Sequence, residues 1–258
     1  MSKEVCCRRC DGRGWVRADG PTYAAVALCS CLVPCPECED SGFVTRIRRS
    51  DSRQVAARCD CANLRRRVGA YNGAEILSEL KRCTFDTFEP DPNHPSQRQA
   101  HTLLKKWARG FKPGDKGWLI HGPVGVGKTH LVCAAVTILS LEKAVSARFI
   151  EFSNLLRRLQ AAFGNNKGDD LLQSLGSCEF LVIDELGKGR NTPWENDVVD
   201  TLISSRYNTG KTTLFTSNHP PEGPDSLMDR LGERVVSRIW ERCTMHGMTG
   251  DNYRRKKL

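Results

Sequence analysis

Gly122-Pro123-Val124-Gly125-Val126-Gly127-Lys128-Thr129 is the stretch on which the reading of this chain turns. It fits the pattern G-x-x-x-x-G-K-[ST] and has the surroundings that pattern requires: a short apolar run over 117–121 before it and a helical pattern to about Glu142 after it. Glycines let successive backbone N–H groups turn inward around phosphate oxygens. Lys128 is placed to reach the β- and γ-phosphates of a nucleotide, and Thr129 to bring its hydroxyl to Mg²⁺.

Working outward, apolar runs alternate with helical patterns. Leu103, Leu104, Trp107 and Ala108 recur at helical spacing and predict a helix over about 96–110. Residues 147–152 read as a strand, with Ser153 as the N-cap of the next helix. Phe180-Leu181-Val182-Ile183 is wholly apolar, as a central parallel strand is. A helix is expected near 195–208, a strand near 212–216, and a mostly helical, basic tail from Asp225. Such alternation predicts an α/β domain with a central parallel sheet covered on both faces. The 180–183 strand delivers Asp184 and Glu185 at its C-terminal end, where ligands of such sheets bind. Asp184 suits a Mg²⁺ ligand, and Glu185 a base or orienting group for an attacking water. Asn218, at the end of the 212–216 strand, is a further candidate for the γ-phosphate or the water.

The first 61 residues carry one pattern twice. Cys7-x2-Cys10 precedes a glycine turn with Trp15-Val16, then Cys29-x-Cys31. Cys35-x2-Cys38 precedes Gly42-Phe43-Val44, then Cys59-x-Cys61. The intervals between the pairs are 18 and 20 residues. Four thiolates suit tetrahedral zinc, and a metal would hold together a segment too small for its own core. Two four-cysteine zinc sites are expected, one per repeat. Interleaved pairing of the first and last cysteine pairs, reduced thiols, and an iron–sulfur cluster stay open. Cys6 is left over. Arg46, Arg48 and Arg49 offer contacts to nucleic acid or protein, or a solvated face.

The chain has 258 residues, with 39 Lys and Arg against 30 Asp and Glu, a formal charge of +9. Two four-thiolate zinc sites would each bring −2, lowering the total to about +5. An apolar share of 39% and a charged share of 27% suffice for a packed core and argue against general disorder. The apolar run 23–33 is too short for a membrane span, which needs about 20 residues. No signal-peptide design opens the sequence, so a cytoplasmic protein with reduced thiols is expected. Of 13 cysteines, ten precede residue 84, which favours metal binding over a disulfide framework. The organisation expected is a zinc-binding module over 1–67, a linker over 68–95 and an ATP-binding domain over 96–258.

Taken together, these elements resemble the AAA+ P-loop ATPases of the DnaC helicase-loader and IstB transposition-helper group. The resemblance covers about 84–258. It rests on Thr84-Phe85-Asp86-Thr87-Phe88, Gly127-Lys128-Thr129-His130-Leu131, the 180–185 strand and Arg206-Tyr207. It continues through Thr216-Ser217-Asn218, Leu231-Gly232-Glu233-Arg234, Ser237-Arg238 and Asp251-Asn252-Tyr253-Arg254. It implies an AAA+ fold with an abbreviated C-terminal helical region beside the small zinc-binding hairpin module. His130 would then belong with the nucleotide-binding residues and Asn218 would be sensor 1. Arg238 would be an arginine finger acting on a neighbouring subunit, with Arg234 as competitor, and Arg254 would be the sensor 2 arginine. Asp184 is followed by Glu where these loaders often carry a second Asp, which favours hydrolysis.

The resemblance implies ATP, Mg²⁺ and Zn²⁺ as cofactors, self-association and single-stranded DNA as a ligand. It also implies a replicative helicase gripped by the N-terminal module. A transposition helper and a nucleotide-gated zinc adaptor with negligible turnover are the alternatives. A small-molecule kinase is disfavoured, because no second substrate pocket is legible.

Overall fold

The computed structural model describes residues 7–48, 52–162 and 167–255. Cys6 and Arg49 lie outside them. Two antiparallel hairpins come first, β1 (Trp15–Ala18) with β2 (Ala25–Leu28), and β3 (Phe43–Ile47) with β4 (Gln54–Arg58). Helix α1 (Ala62–Asn72) follows, then two short 3-10 turns at Ser78–Leu80 and Phe85–Thr87. The second turn is capped by reciprocal bonds between Thr84 and Thr87.

Helix α2 (Pro95–Gly110) starts on a proline, whose missing N–H costs nothing in a first turn. Strand β5 (Gly117–His121) then leads through the glycine loop into α3 (Lys128–Leu141). There follow β6 (Ala147–Glu151), α4 (Phe152–Ala161), α5 (Lys167–Ser177), β7 (Phe180–Asp184), α6 (Pro193–Asn208) and β8 (Thr212–Ser217). The chain ends with α7 (Leu227–Leu231), α8 (Glu233–Arg242) and β9 (Cys243–Gly247).

The central sheet has the order β6-β7-β8-β5-β9, and all its pairings are parallel. Its two faces are read off alternate residues. Trp118, Ile120, Phe180, Val182 and Leu214 join α2 and α3 in one core. Leu119, Leu181, Ile183 and Phe215 join α4 to α8 in the other. Parallel order puts His121, Asp184 and Ser217 along one edge of the sheet, and the glycine loop rises from that edge.

Two local expectations are corrected. The tail is not mostly helical to its end, because Cys243–Gly247 pairs with β5 as a fifth parallel strand. Cys243-Thr244-Met245-His246 alternates over only four residues, with Cys243 and Met245 turned to the core, too short a pattern to announce a strand without its partner β5. Ser153 is not an N-cap: α4 begins at Phe152, and Ser153 Oγ donates to Glu151 Oε1 at 2.7 Å. Helix α5 had no counterpart in the sequence reading.

The stretch 68–95 carries buried side chains throughout: Tyr71, Ala74, Ile76, Phe85 and Phe88 sit in the α2–α3 core. Helix α1 packs on α3 and on β2. Asn72 completes the edge of β2, accepting from Val26 N at 2.9 Å and donating to Val26 O at 3.0 Å. Ala24 N donates to Ile76 O, and Phe149 N to Ala74 O, both at 2.7 Å. The first hairpin is thus fastened to the rim of the central sheet by backbone bonds. Among the described residues, no helix is long and apolar enough to cross a membrane.

Candidate nucleotide and metal sites

Gly127 holds φ at +99° immediately before α3, a conformation glycine adopts without steric cost, and a Cβ there would lie 2.5 Å from Phe88 Cε2. The helix N-terminus therefore opens directly onto the loop, with its unpaired N–H groups and positive dipole end facing the cleft. Lys128 is nearly buried. Its Nζ donates to Gly122 O and Pro123 O, both at 2.7 Å, and to Asn218 Oδ1 at 2.9 Å. Burial pushes its pKa down to about 8, against the opposing pull of Asp184 and Glu185.

Asp184 ends β7 and is 5% exposed. Thr129 Oγ1 lies 2.9 and 3.0 Å from its two oxygens, and Thr216 Oγ1 donates to Oδ1 at 2.5 Å. Burial raises the carboxyl to about 6, although both hydroxyls favour the ionised form. A buried carboxylate beside the loop threonine is the donor set that a hard divalent cation takes. Glu185 has φ +55°, its N–H donates to Thr216 Oγ1 at 2.9 Å, and Lys188 Nζ pairs with its carboxylate.

Lys128, Thr129, Glu185, Thr216 and Asn218 line one cleft of about 680 Å³, together with Val124, Gly125, Gly127, His130, Tyr253 and Arg254, while Asp184 lies behind the wall, bonded to Thr129 and Thr216. Leu80 and Cys83 form its apolar side. Gly122, Pro123 and Val126 are not in its wall; the first two supply carbonyls to Lys128, and Val126 is buried. His130 also packs edge-on against Phe88 with its Nε2 2.8 Å from Thr84 O. Arg234 and Arg238 lie away from the cleft, on α8. Arg238 pairs with Asp200 at 2.5 Å and stacks over Tyr207 at 5.9 Å. Arg234 is 3.8 Å from the same Asp200, with a side chain 74% exposed.

The cysteine region closes into two clusters, Cys7, Cys10, Cys29 and Cys31, and Cys35, Cys38, Cys59 and Cys61. Pairing runs within each repeat. Sulfur separations of 3.9 and 3.6 Å in the first and 3.6 and 3.2 Å in the second approach the edge of a tetrahedron of Zn–S bonds, about 3.8 Å. In each cluster the four sulfurs all lie within 4.8 Å of one another, which fits a single ion rather than thiolates spread over several irons.

The two turns are built alike. Asp11 N donates to Cys7 O and Glu39 N to Cys35 O at 2.8 Å, while Cys29 N donates to Gly14 O and Cys59 N to Gly42 O at 2.9 Å. The thiols within a cluster are unequal. Backbone N–H groups of Cys10 and Arg9 hold Cys7 down at about 7, and hydrogen bonds with Cys29 and Cys7 push Cys31 up to about 12. Four converging sulfurs of this kind are compatible with a single cation, which would displace their protons.

A family profile described as IstB-like ATP binding protein matches residues 98–258. The chain belongs to that family. This IstB-like protein is 28% identical over 160 residues to the replicative helicase loader DnaC of Buchnera aphidicola from Acyrthosiphon pisum, covering 61% of this chain and 63% of that protein. It therefore spans under two thirds of that relative's length. A putative ATP-binding protein in an insertion sequence of Mycobacterium tuberculosis is 26% identical over 200 residues, covering 74% of this chain and 78% of the relative. A crystal structure of the DnaC helicase loader superposes with a TM-score of 0.60 at 29% identity, covering 66% of this chain and 99% of that one. DnaI, at 22% identity and a TM-score of 0.59, shares the fold over 66% of this chain and 93% of its own. The AAA+ architecture is thus common to this IstB-like chain and its structural neighbours.

Sequence reasoning missed three residues of the site. Thr216 was read only as part of a strand end, yet it fastens Asp184. Lys188 pairs with Glu185 across one turn, and Gln97 reaches the tail; neither belongs to a motif.

Proposed function

We propose that this protein is an ATP-binding and ATP-hydrolysing AAA+ protein that acts in DNA replication as a helicase loader. The observation that carries the reading is the convergence of Lys128, Thr129, Glu185, Asn218 and Arg254 on one cleft at the C-terminal edge of a parallel sheet, with Asp184 bonded to Thr129 directly behind it. Mg²⁺ and ATP, when bound, supply the reacting phosphoryl group and part of its charge neutralisation. The chain's own groups have separate tasks. Lys128 exchanges its carbonyl partners for β- and γ-phosphate oxygens. Thr129 and Asp184 hold the metal, Glu185 orients or deprotonates water, and Asn218 marks the γ-phosphate end. Arg254 adds charge from the tail. Arg238 serves a neighbouring subunit, which makes the working form an oligomer.

The four-cysteine clusters hold zinc structurally, since four protein ligands leave no open position. Residues 1–67 are the module that grips the replicative helicase, and the assembled ATPase domains hold single-stranded DNA. The DnaC relatives support this choice of client. The longer match to the insertion-sequence relative supports a second reading, a transposition helper. Phosphate release with and without single-stranded DNA, on wild type and Glu185→Gln, tests the first. DNA-stimulated turnover that the variant loses supports it, and absence of turnover even with a replicative helicase present overturns it. Capture of a transposase in place of the helicase selects the second.

A further inference from the structure

The last described residues run back across the phosphate loop. Met248 N donates to His121 O at 2.7 Å, and Tyr253 N donates to Gly125 O at 3.1 Å. A Cβ on Gly122 would lie 2.0 Å from Met248 O, and one on Gly125 2.0 Å from Asn252 Oδ1. Two glycines of the loop therefore make room for the tail as well as for a phosphate. The same path brings Arg254 into the wall of the cleft with Lys128.

What fixes this path is a glutamine in the first turn of α2. Gln97 is fully buried. Its Nε2 donates to Thr249 O at 3.1 Å, and its Oε1 accepts from Asp91 N at 2.9 Å. Tyr253 Oη lies 2.8 Å from Gln97 Oε1 and 2.7 Å from Glu89 O, its one proton serving either. Gly250 crosses directly over the amide; a Cβ there would stand 2.0 Å from Gln97 Nε2. Ser96 adds a second tie, accepting from Thr249 N at 3.0 Å. One buried side chain thus contacts the tail on both sides of residues 250–252, one residue short of Arg254.

We propose that Gln97 is a positioning residue for nucleotide binding: through Thr249 and Tyr253 it holds the tail across the phosphate loop so that Arg254 faces the bound phosphates. The proposal rests on the cleft being the ATP site. Gln97 touches no nucleotide; it acts by removing the tail's freedom before the ligand arrives, so that Arg254 binds without first having to be ordered.

The test is equilibrium binding of a fluorescent ATP analogue to the full zinc-loaded chain, with unfolding temperature measured alongside. Arg254→Ala, Gln97→Met and Tyr253→Phe are each expected to weaken binding about three- to tenfold. Gln97→Met keeps the volume and loses the bonds, and Tyr253→Phe loses a single hydroxyl. The deciding readout is the pair Gln97→Met with Arg254→Ala, which is expected to bind no more weakly than Arg254→Ala alone. Multiplied losses in the double variant overturn the proposal, because Gln97 would then act independently of Arg254. Wild-type affinity in Arg254→Ala also overturns it. Should Gln97→Met fail to fold, Tyr253→Phe with Arg254→Ala gives the same cycle. Lys128→Ala separates the levels: if it binds the analogue as wild type does, the assignment of the cleft fails, and the proposal with it.

Discussion

Thr216 Oγ1 donates to Asp184 Oδ1 at 2.5 Å, while Thr129 approaches the same carboxylate from the phosphate loop. Two hydroxyls thus hold ready a charge that burial opposes, and the carboxyl rises from 3.8 to about 6. The native state then binds a proton more readily than the unfolded chain. Stability falls as pH climbs from about 4 to about 6, and the full cost stands above that, about 3 kcal/mol for a shift of this size. Asp184→Asn is expected to raise the unfolding temperature of the nucleotide-free protein at pH 7, with the gain shrinking toward zero near pH 4. Calorimetry across pH checks it; an equal gain at both ends would assign the effect to something other than ionisation. The same variant is expected to lose the Mg²⁺ dependence of nucleotide binding.

Glu185→Gln keeps the shape of the side chain and its backbone bond to Thr216, and removes the base. Nucleotide affinity should stay within about threefold of wild type while turnover falls by about 10² or more. Parallel loss of both would mean that Glu185 serves binding instead.

The two α8 arginines can be separated by mixing subunits. Arg238→Ala and Lys128→Ala are each expected to abolish turnover, since a finger is worth roughly 10³-fold or more. Mixed together they should regain part of it, because one subunit then brings the finger and another the phosphate loop. Arg238 is also paired with Asp200, so the unfolding temperature of its variant must be read beside the activity. Complementation by Arg234→Ala and not by Arg238→Ala would move the finger to the more exposed arginine.

Metal analysis should return two zinc ions per chain, falling to one in Cys61→Ser. Chelation is expected to melt the β3–β4 hairpin, read by amide exchange over 43–58. Full occupancy in Cys61→Ser would break the pairing of cysteines within repeats.

What the sequence disclosed and what it hid follow from range. The loop at 122–129 and the acids at 184–185 were legible because each needs only its own strand and turn. The cysteine spacing was legible too, but it left the pairing open until the duplicated turn bonds placed Cys29 beside Cys7 and Cys59 beside Cys35. Strand β9 was hard to read because its alternation, Cys243 and Met245 inward, spans only four residues behind a helix and is completed by pairing with β5. Gln97 was illegible for the same reason at longer range: its partner Thr249 is 152 positions away, and nothing local in either residue announces the other.

Cys61 closes the second thiol cluster and also stands as the N-cap of α1, whose far end holds the first hairpin and whose flank lies on α3. The cysteine segment, made before the phosphate loop, is therefore a template for the later one. A chain emerging from synthesis presents its cysteines well before its phosphate loop, and domains form in that order. If the clusters take zinc as proposed, metal capture would come first, fixing where α1 begins and so where the wall behind the phosphate-loop helix will stand. Scarcity of metal during synthesis would reach the nucleotide site as a defect of assembly.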